Sequence, residues 1–126
     1  MILNEMRESN LTSDKIIVAG FSQGAVVSLL SALSFPQKLG GIVAMSGYLP
    51  IPTKFFSHVH EVNKETPVMM FHGKQDEVVE YEWGLDAFKK LKDNGLNVSF
   101  QSFDHMGHSA CDEEIMLVRQ FVKERL

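Results

Sequence analysis

The sequence has few of the features that mark secreted, membrane-spanning or nucleic-acid-binding proteins. Its 126 residues include a single cysteine, Cys111. Neither an internal disulfide bond nor a cysteine-rich zinc site can form, which predicts a reducing, cytoplasmic location. No apolar run approaches the ~18 residues of a membrane-spanning helix, so no membrane span is predicted. The 12 basic and 16 acidic residues give a net charge of −4, with no basic stripe to attract nucleic acid.

Composition and length are those of an ordinary globular protein. Hydrophobic residues make up 44% of the chain and charged residues 22%, which excludes disordered, collagen-like and coiled-coil classes. The length has room for one domain and not for two. The sequence therefore predicts a single domain over residues 1–126.

Short apolar runs alternate with longer amphipathic segments. Strands are predicted at 15–20, 41–46, 67–73 and 97–103. Helices are predicted at 2–9, at 23–34 and at 81–94, the last of these with Trp83, Ala87, Phe88 and Leu91 inward. Ser109-Ala-Cys-Asp112 resembles a capping box that opens a final helix, with Ile115, Val118, Phe121 and Val122 inward. Residues 47–66 are predicted as a long loop with a helical turn, and such loops are often functional. This alternation predicts an α/β fold, a mainly parallel sheet of about four strands with flanking helices.

The strongest local signal is the pentapeptide Gly20-Phe21-Ser22-Gln23-Gly24, which follows a predicted strand and opens a predicted helix. G-x-S-x-G in that setting is typical of a nucleophile elbow, a strained turn that lifts a serine hydroxyl clear of the sheet. We expect a side chain at either flanking glycine to collide with neighbouring elements. The start of the helix would place the N–H of Gln23 where an oxyanion forms. The alternative interpretation is an ordinary turn without chemistry.

A serine nucleophile needs a base, and the base needs an orienting carboxylate. In elbow enzymes the chain order is serine, then aspartate or glutamate, then histidine. Asp76 lies three residues past the strand at 67–73, and His108 lies just beyond the strand at 97–103. Both follow the carboxyl ends of parallel strands, at the same sheet edge as Ser22, where catalytic groups collect in open α/β sheets.

Other residues compete for these roles. His105 is the second candidate base, whereas His108 follows a glycine that would let the loop fold back over the serine. Asp76 has two candidate substitutes, Glu77 and Asp104, and it is alternatively a plain turn residue. His72 ends a strand and is predicted to be structural, bonded to nearby backbone. A metal site at His105 and His108 would need a third ligand at a fitting spacing, and the sequence offers none nearby.

Four segments, GFSQGA, MSGYLP, HGKQDEVV and MGHS, resemble in their order and spacing the acyl-protein thioesterase and phospholipase/carboxylesterase family of α/β-hydrolases. The resemblance implies Ser22 as nucleophile, Asp76 as orienting acid, His108 as general base and the N–H of Gln23 as an oxyanion donor. It implies hydrolysis of carboxylic esters, lysophospholipids or thioesters on acylated proteins, without a cofactor. The apolar residues of the 47–66 loop would then line an acyl-chain channel: Leu49, Phe55 and Phe56.

The sequence departs from the family pattern in two ways. Ala25 stands where many members have a second glycine, and we expect the extra methyl group to be tolerated. The chain also resembles only the C-terminal part of the family fold, without the usual N-terminal strands or the early His-Gly loop that supplies a second oxyanion donor. This predicts a partial α/β-hydrolase fold with an open edge at residues 15–20 that a homodimer or another partner chain would cover. The alternative function is an inactive fragment that acts by binding.

Overall fold

The computed structural model describes residues 12–50 and 52–125, so the helix predicted at 2–9 lies outside the described residues. Within this part of the chain, four strands form one sheet in the order β1-β2-β3-β4, and every neighbouring pair is parallel. The elements are β1 (Ile17–Phe21), α1 (Gln23–Leu33), β2 (Gly41–Met45), α2 (Pro52–Ser57), β3 (Val68–Gly73), α3 (Tyr81–Asp93), β4 (Val98–Phe103) and α4 (Asp112–Arg125). The predicted α/β class with a parallel sheet is confirmed.

The helices cover the sheet on both faces because its central strands are apolar on both faces. Along β2, Ile42 and Ala44 pack in one core with buried residues of α1 and α3, whereas Val43 packs in the other core with Phe121 of α4. A three-layer arrangement follows, with α1 and α3 on one side of the sheet and α4 on the other. None of the described helices is long and apolar enough to span a membrane.

Strand β1 lies at the edge of the described sheet. It pairs with β2 alone, and Ala19 at its centre and Phe21 at its end are exposed, whereas Ile42, Val43 and Ala44 of β2 are buried. An unpaired strand edge presents a row of free backbone donors and acceptors to any neighbouring chain. The predicted open edge is therefore present among the described residues, and its pairing with a second chain stays a prediction.

The inward faces of two helices differ from those expected. Trp83 was predicted to point inward but is 51% exposed, because it lies in the first turn of α3, beyond the end of the sheet. Ile115 is exposed too, since the inner face of α4 runs through Glu114, Leu117, Val118 and Phe121. Glu114 is consequently fully buried, and neither of its carboxylate oxygens has a hydrogen-bond partner among the described residues.

The loop predicted at 47–66 contains more regular structure than one turn. It includes α2 and a 3-10 turn at Glu61–Asn63. Phe55 of α2 is buried in the core beneath α1, and Leu49 and Phe56 pack against that core. The aromatic residues of this segment therefore anchor it to the body of the domain.

Candidate active site

The turn between β1 and α1 holds Ser22 in a rare backbone conformation. Its φ of 59° and ψ of −120° lie outside the regions that a serine normally occupies, as expected of a strained elbow. The backbone around it is fully used: the Ser22 N–H donates to Met45 O at 2.8 Å, and the Ser22 carbonyl accepts from Ala25 N–H at 3.0 Å. These bonds tie the serine to the neighbouring strand and to the first turn of the helix.

The two glycines of the pentapeptide differ in what they allow. A Cβ atom at Gly20 would lie 2.1 Å from the backbone oxygen of Gly24, so only glycine lets the helix cross the strand this closely. At Gly24 an added Cβ atom would meet nothing within 4 Å, and the predicted collision there is wrong. Gly24 lies in the exposed first turn of α1, so a side chain at this position would point into open space.

Ala25, where the family resemblance implies a glycine, is accommodated by a glycine in the loop just after β2. Ala25 is fully buried, and a Cβ atom at Gly47 would lie 2.7 Å from the Ala25 Cβ. The bare backbone of Gly47 therefore supplies the room that the extra methyl group needs. The elbow has the predicted shape with this substitution in place.

Asp76 is both a turn residue and a candidate orienting acid. Its Oδ1 accepts hydrogen bonds from the N–H groups of Val78 and Val79, each at 2.9 Å, while its Oδ2 accepts from His108 Nδ1 at 2.7 Å. Burial works to raise the pKa of Asp76, but the hydrogen bonds from His108, Val79 and Val78 outweigh it and hold the pKa below its usual value. Asp76 therefore holds the turn through Oδ1 and contacts the candidate base through Oδ2.

His108 lies between Asp76 and Ser22. Because the ionised carboxylate can only accept, His108 Nδ1–H donates to Asp76, which leaves Nε2 to accept from the Ser22 hydroxyl at 2.9 Å. The ring of Phe21 packs against the imidazole, with 4.8 Å between ring centroids. The structure thus brings the three predicted residues into one hydrogen-bonded line.

The competing candidates lie elsewhere. His105 and Glu77 are exposed, and Asp104 pairs with Lys74 at 2.9 Å on the surface. His72 is buried, and its Nε2 lies 2.7 Å from the backbone oxygen of Val79, so its predicted bond to nearby backbone is confirmed.

A cavity of about 560 Å³ opens beside the serine, and its wall combines polar groups with apolar side chains. It is lined by Phe21, Ser22, Gln23, Gly24, Tyr48, Val78, Val79 and Trp83. Leu49, Phe55 and Phe56, predicted from the loop, are not among these residues, because they pack toward the core.

Ser22 and Gln23 were predicted as site residues, whereas five other side chains that line the cavity were not: Phe21, Tyr48, Val78, Val79 and Trp83. Phe21 lies within the pentapeptide, next to the serine, and Val78 lies two residues after Asp76. Their closeness in the chain to these two predicted site residues was the available signal. Tyr48 and Trp83 form an edge-to-face pair with 6.4 Å between ring centroids, which joins the loop after β2 to α3. A pair contributed by two separate elements has no signature in local sequence.

The helix that follows the serine presents donors to the cavity. The first N–H groups of an α-helix have no acceptor within the helix, and the positive end of its dipole favours an anion there. Gln23 is the first residue of α1 and lines the cavity. The arrangement can therefore place negative charge next to Ser22.

Comparison with known proteins agrees with this arrangement. The sequence pattern of the Phospholipase/Carboxylesterase family matches residues 1–126. Acyl-protein thioesterase 1 homolog 1 of Dictyostelium discoideum is 42% identical over 127 residues, covering all of this chain and 55% of that protein. Acyl-protein thioesterase 1 of Neurospora crassa is 45% identical over 121 residues, covering 94% of this chain and 49% of that protein.

The fold is that of a solved carboxylesterase. The crystal structure of Arabidopsis thaliana SOBER1 matches with a TM-score of 0.91 and 30% identity, over 98% of this chain and 59% of that one. The chain spans about half the length of the curated relatives it matches. Its predicted correspondence to the C-terminal part of the family fold stays a prediction. By sequence pattern, identity and fold, the chain belongs to the phospholipase/carboxylesterase family of α/β-hydrolases.

Proposed function

We propose that this protein is a serine hydrolase that cleaves carboxylic esters or thioesters through an acyl-enzyme on Ser22. The observation that carries the proposal is the line of hydrogen bonds from Ser22 Oγ through His108 to Asp76, at 2.9 and 2.7 Å. That line has the order and polarity of a nucleophile, a general base and an orienting carboxylate. The names of the relatives, acyl-protein thioesterase and carboxylesterase, support the same class of reaction.

In the first half-reaction Ser22 is acylated. His108 Nε2 takes the hydroxyl proton as Ser22 Oγ bonds to the acyl carbon, and the carbonyl oxygen becomes an oxyanion that accepts from Gln23 N–H. The tetrahedral intermediate then collapses, the C–O or C–S bond breaks, and the protonated His108 returns the proton to the leaving alcohol or thiol. Asp76 stabilises the imidazolium without accepting its proton.

In the second half-reaction water releases the acid. His108 Nε2 removes a proton from a water molecule while the water oxygen attacks the acyl carbon of the ester on Ser22. His108 then donates this proton to Ser22 Oγ as the bond between Oγ and the acyl carbon breaks. The low pKa of Asp76 keeps its carboxylate ionised at neutral pH through both steps. One imidazole thus acts as base and acid in each half.

The walls of the cavity favour an apolar acyl group. Phe21, Tyr48 and Trp83 surround the opening at Ser22, and Val78 there is exposed. An acyl chain would remove these side chains from water, which supplies binding energy without specific polar contacts. This placement replaces the predicted channel of Leu49, Phe55 and Phe56.

Labelling of the serine tests the proposal directly. A fluorophosphonate probe should add one adduct to the wild-type chain by intact mass, and none to Ser22→Ala. Ser31→Ala is a matched control, because Ser31 is an exposed serine on the same helix and should not affect labelling. The absence of an adduct on the wild type, or an adduct that persists in Ser22→Ala, would contradict the proposal.

A substrate panel then separates esters from thioesters. p-Nitrophenyl esters and acyl thioesters of increasing chain length should all depend on Ser22 and differ in kcat/KM. The alternative, an inactive fragment that acts by binding, is motivated by the chain's coverage of about half its relatives. It predicts acyl-chain binding by the folded chain, with no turnover and no adduct.

The proposal includes a cytoplasmic location and the pairing of two chains across β1. The lone cysteine supports the first. The exposed edge with Ala19 and Phe21 supports the second. Sedimentation at several concentrations should show reversible dimerisation, and a stable monomer that remains free of aggregation at high concentration would contradict it.

A further inference from the structure

We propose that His72 is a positioning residue for the carboxylate of Asp76. The inference rests on the proposed function, since it gives His72 a role in holding the line that ends at Ser22. His72 lies near the end of β3, four residues before the acid, and its side chain is 1% exposed. It is absent from the residues that line the cavity, so it acts through other groups and not on substrate.

The imidazole of His72 lies between two acceptors. Its Nε2 is 2.7 Å from the backbone oxygen of Val79 and 3.4 Å from Asp76 Oδ2. A carbonyl oxygen can only accept, so Nε2 must carry the proton and donate it to Val79. The same N–H therefore lies beside the carboxylate oxygen that accepts from His108.

This donor supports the turn that holds the acid. The Val79 carbonyl accepts from His72, while the Val79 N–H donates to Asp76 Oδ1 at 2.9 Å. Both backbone polar groups of Val79 are thus occupied, and the turn from Asp76 to Val79 is held at both ends. With Oδ1 bound to the turn, Oδ2 stays aimed at His108 Nδ1.

The imidazole is itself held in place by its neighbours. A Cβ atom at Gly84 of α3 would lie 2.2 Å from His72 Nδ1, so only the bare glycine backbone leaves room for the ring. Tyr81 meets the ring edge to face, with 5.9 Å between centroids. The imidazole is thus buried against two residues of α3, which limits its rotation and favours one direction for its N–H.

Three substitutions at one position test the role. His72→Leu removes the donor, His72→Gln restores an N–H near the position of Nε2, and His72→Asn restores one near Nδ1. We expect kcat of His72→Leu to fall roughly 10–100-fold with KM unchanged within about twofold, because a small displacement of the acid misaligns the base. His72→Gln should recover most of the loss, and His72→Asn should recover little.

A second readout does not depend on turnover. The His108 Nδ1–H that donates to Asp76 should give a low-field proton signal, which His72→Leu should broaden or lose and His72→Gln should restore. Met70→Ala is the matched control, because Met70 is buried on the same strand and its side chain forms no hydrogen bond with Asp76 or Val79. It should lower stability while kcat and the signal remain.

The outcomes separate the two proposals. Wild-type kcat and an intact low-field signal in His72→Leu would overturn the positioning role, as would equal losses in Met70→Ala. If His72→Leu does not fold, equal activity of the Gln and Asn variants would overturn it instead. A wild-type chain that shows the low-field signal but neither turnover nor a fluorophosphonate adduct would refute the proposed function alone.

Discussion

The buried carboxyl group of Glu114 should make the folded protein less stable as the pH rises. Glu114 is fully buried on the inner face of α4 and has no hydrogen-bond partner for either oxygen among the described residues. Burial raises its pKa to about 7 from an ordinary value of 4.5. No neighbouring charge contributes to that shift, so the carboxyl group is kept neutral by desolvation alone.

The sign and size of the effect follow from proton linkage. Because the folded protein binds this proton more tightly than the unfolded chain does, ionisation of Glu114 costs no unfolding free energy well below pH 4.5. Its cost grows between pH 4.5 and about 7, and it is complete above pH 7. The shift corresponds to about 3 kcal/mol of unfolding free energy at the plateau.

Urea unfolding at pH 5, 7 and 8.5 measures this cost. Glu114→Met removes the ionisable group at similar volume. Because a small part of the ionisation cost is already present at pH 5, the advantage of this variant over wild type should be about 2–3 kcal/mol larger at pH 8.5 than at pH 5. Glu113→Gln makes a similar change of charge on the exposed neighbour and should leave the pH dependence as in wild type. An advantage of Glu114→Met that is the same at all three pH values would refute the reasoning.

Three further substitutions test packing, the first away from the site and the other two at it. Asn63→Ala removes a buried amide that binds four groups, three of them backbone, and should cost about 3 kcal/mol or more in urea unfolding. Gly73→Ala would place a Cβ atom 2.0 Å from Met106 O, so the His108 loop must move and kcat should fall about 10²-fold while the chain stays folded by circular dichroism. Trp83→Ala should raise KM roughly tenfold for long-chain esters and leave acetyl esters unchanged in the same steady-state assay, since it removes cavity wall and no polar group.

The strands and the order of the site residues could be predicted because both depend on local sequence. Apolar runs define buried strands, and all four predicted strands are found within two residues of their expected ends. The pentapeptide around Ser22 and the positions of Asp76 and His108 after their strands put three groups at one sheet edge. Family resemblance and physical reasoning pointed to the same residues, because the motif is itself a set of steric and chemical requirements.

The remaining features depend on how separate elements meet. The inner face of α4 is set by where that helix starts relative to the sheet, so the burial of Glu114 and the exposure of Ile115 were not visible in the hydrophobic pattern. Likewise, the freedom at Gly24 and the constraint at Gly47 follow from the crossing of α1 over the strands. Such contacts join residues distant in sequence, which a single sequence does not pair.

The strand order explains why the loop after β4 must turn back across the sheet. Ser22 follows β1 and Asp76 follows β3, so β2 separates them by about two strand spacings, roughly 10 Å. His108 follows β4, on the far side of the acid, and can reach the serine only if its loop crosses the end of β3. Gly73 permits this crossing, because the backbone of Met106 lies where a Cβ atom would be. The glycine at the end of β3 is therefore as much a requirement of the hydrogen-bonded line as the three side chains that form it.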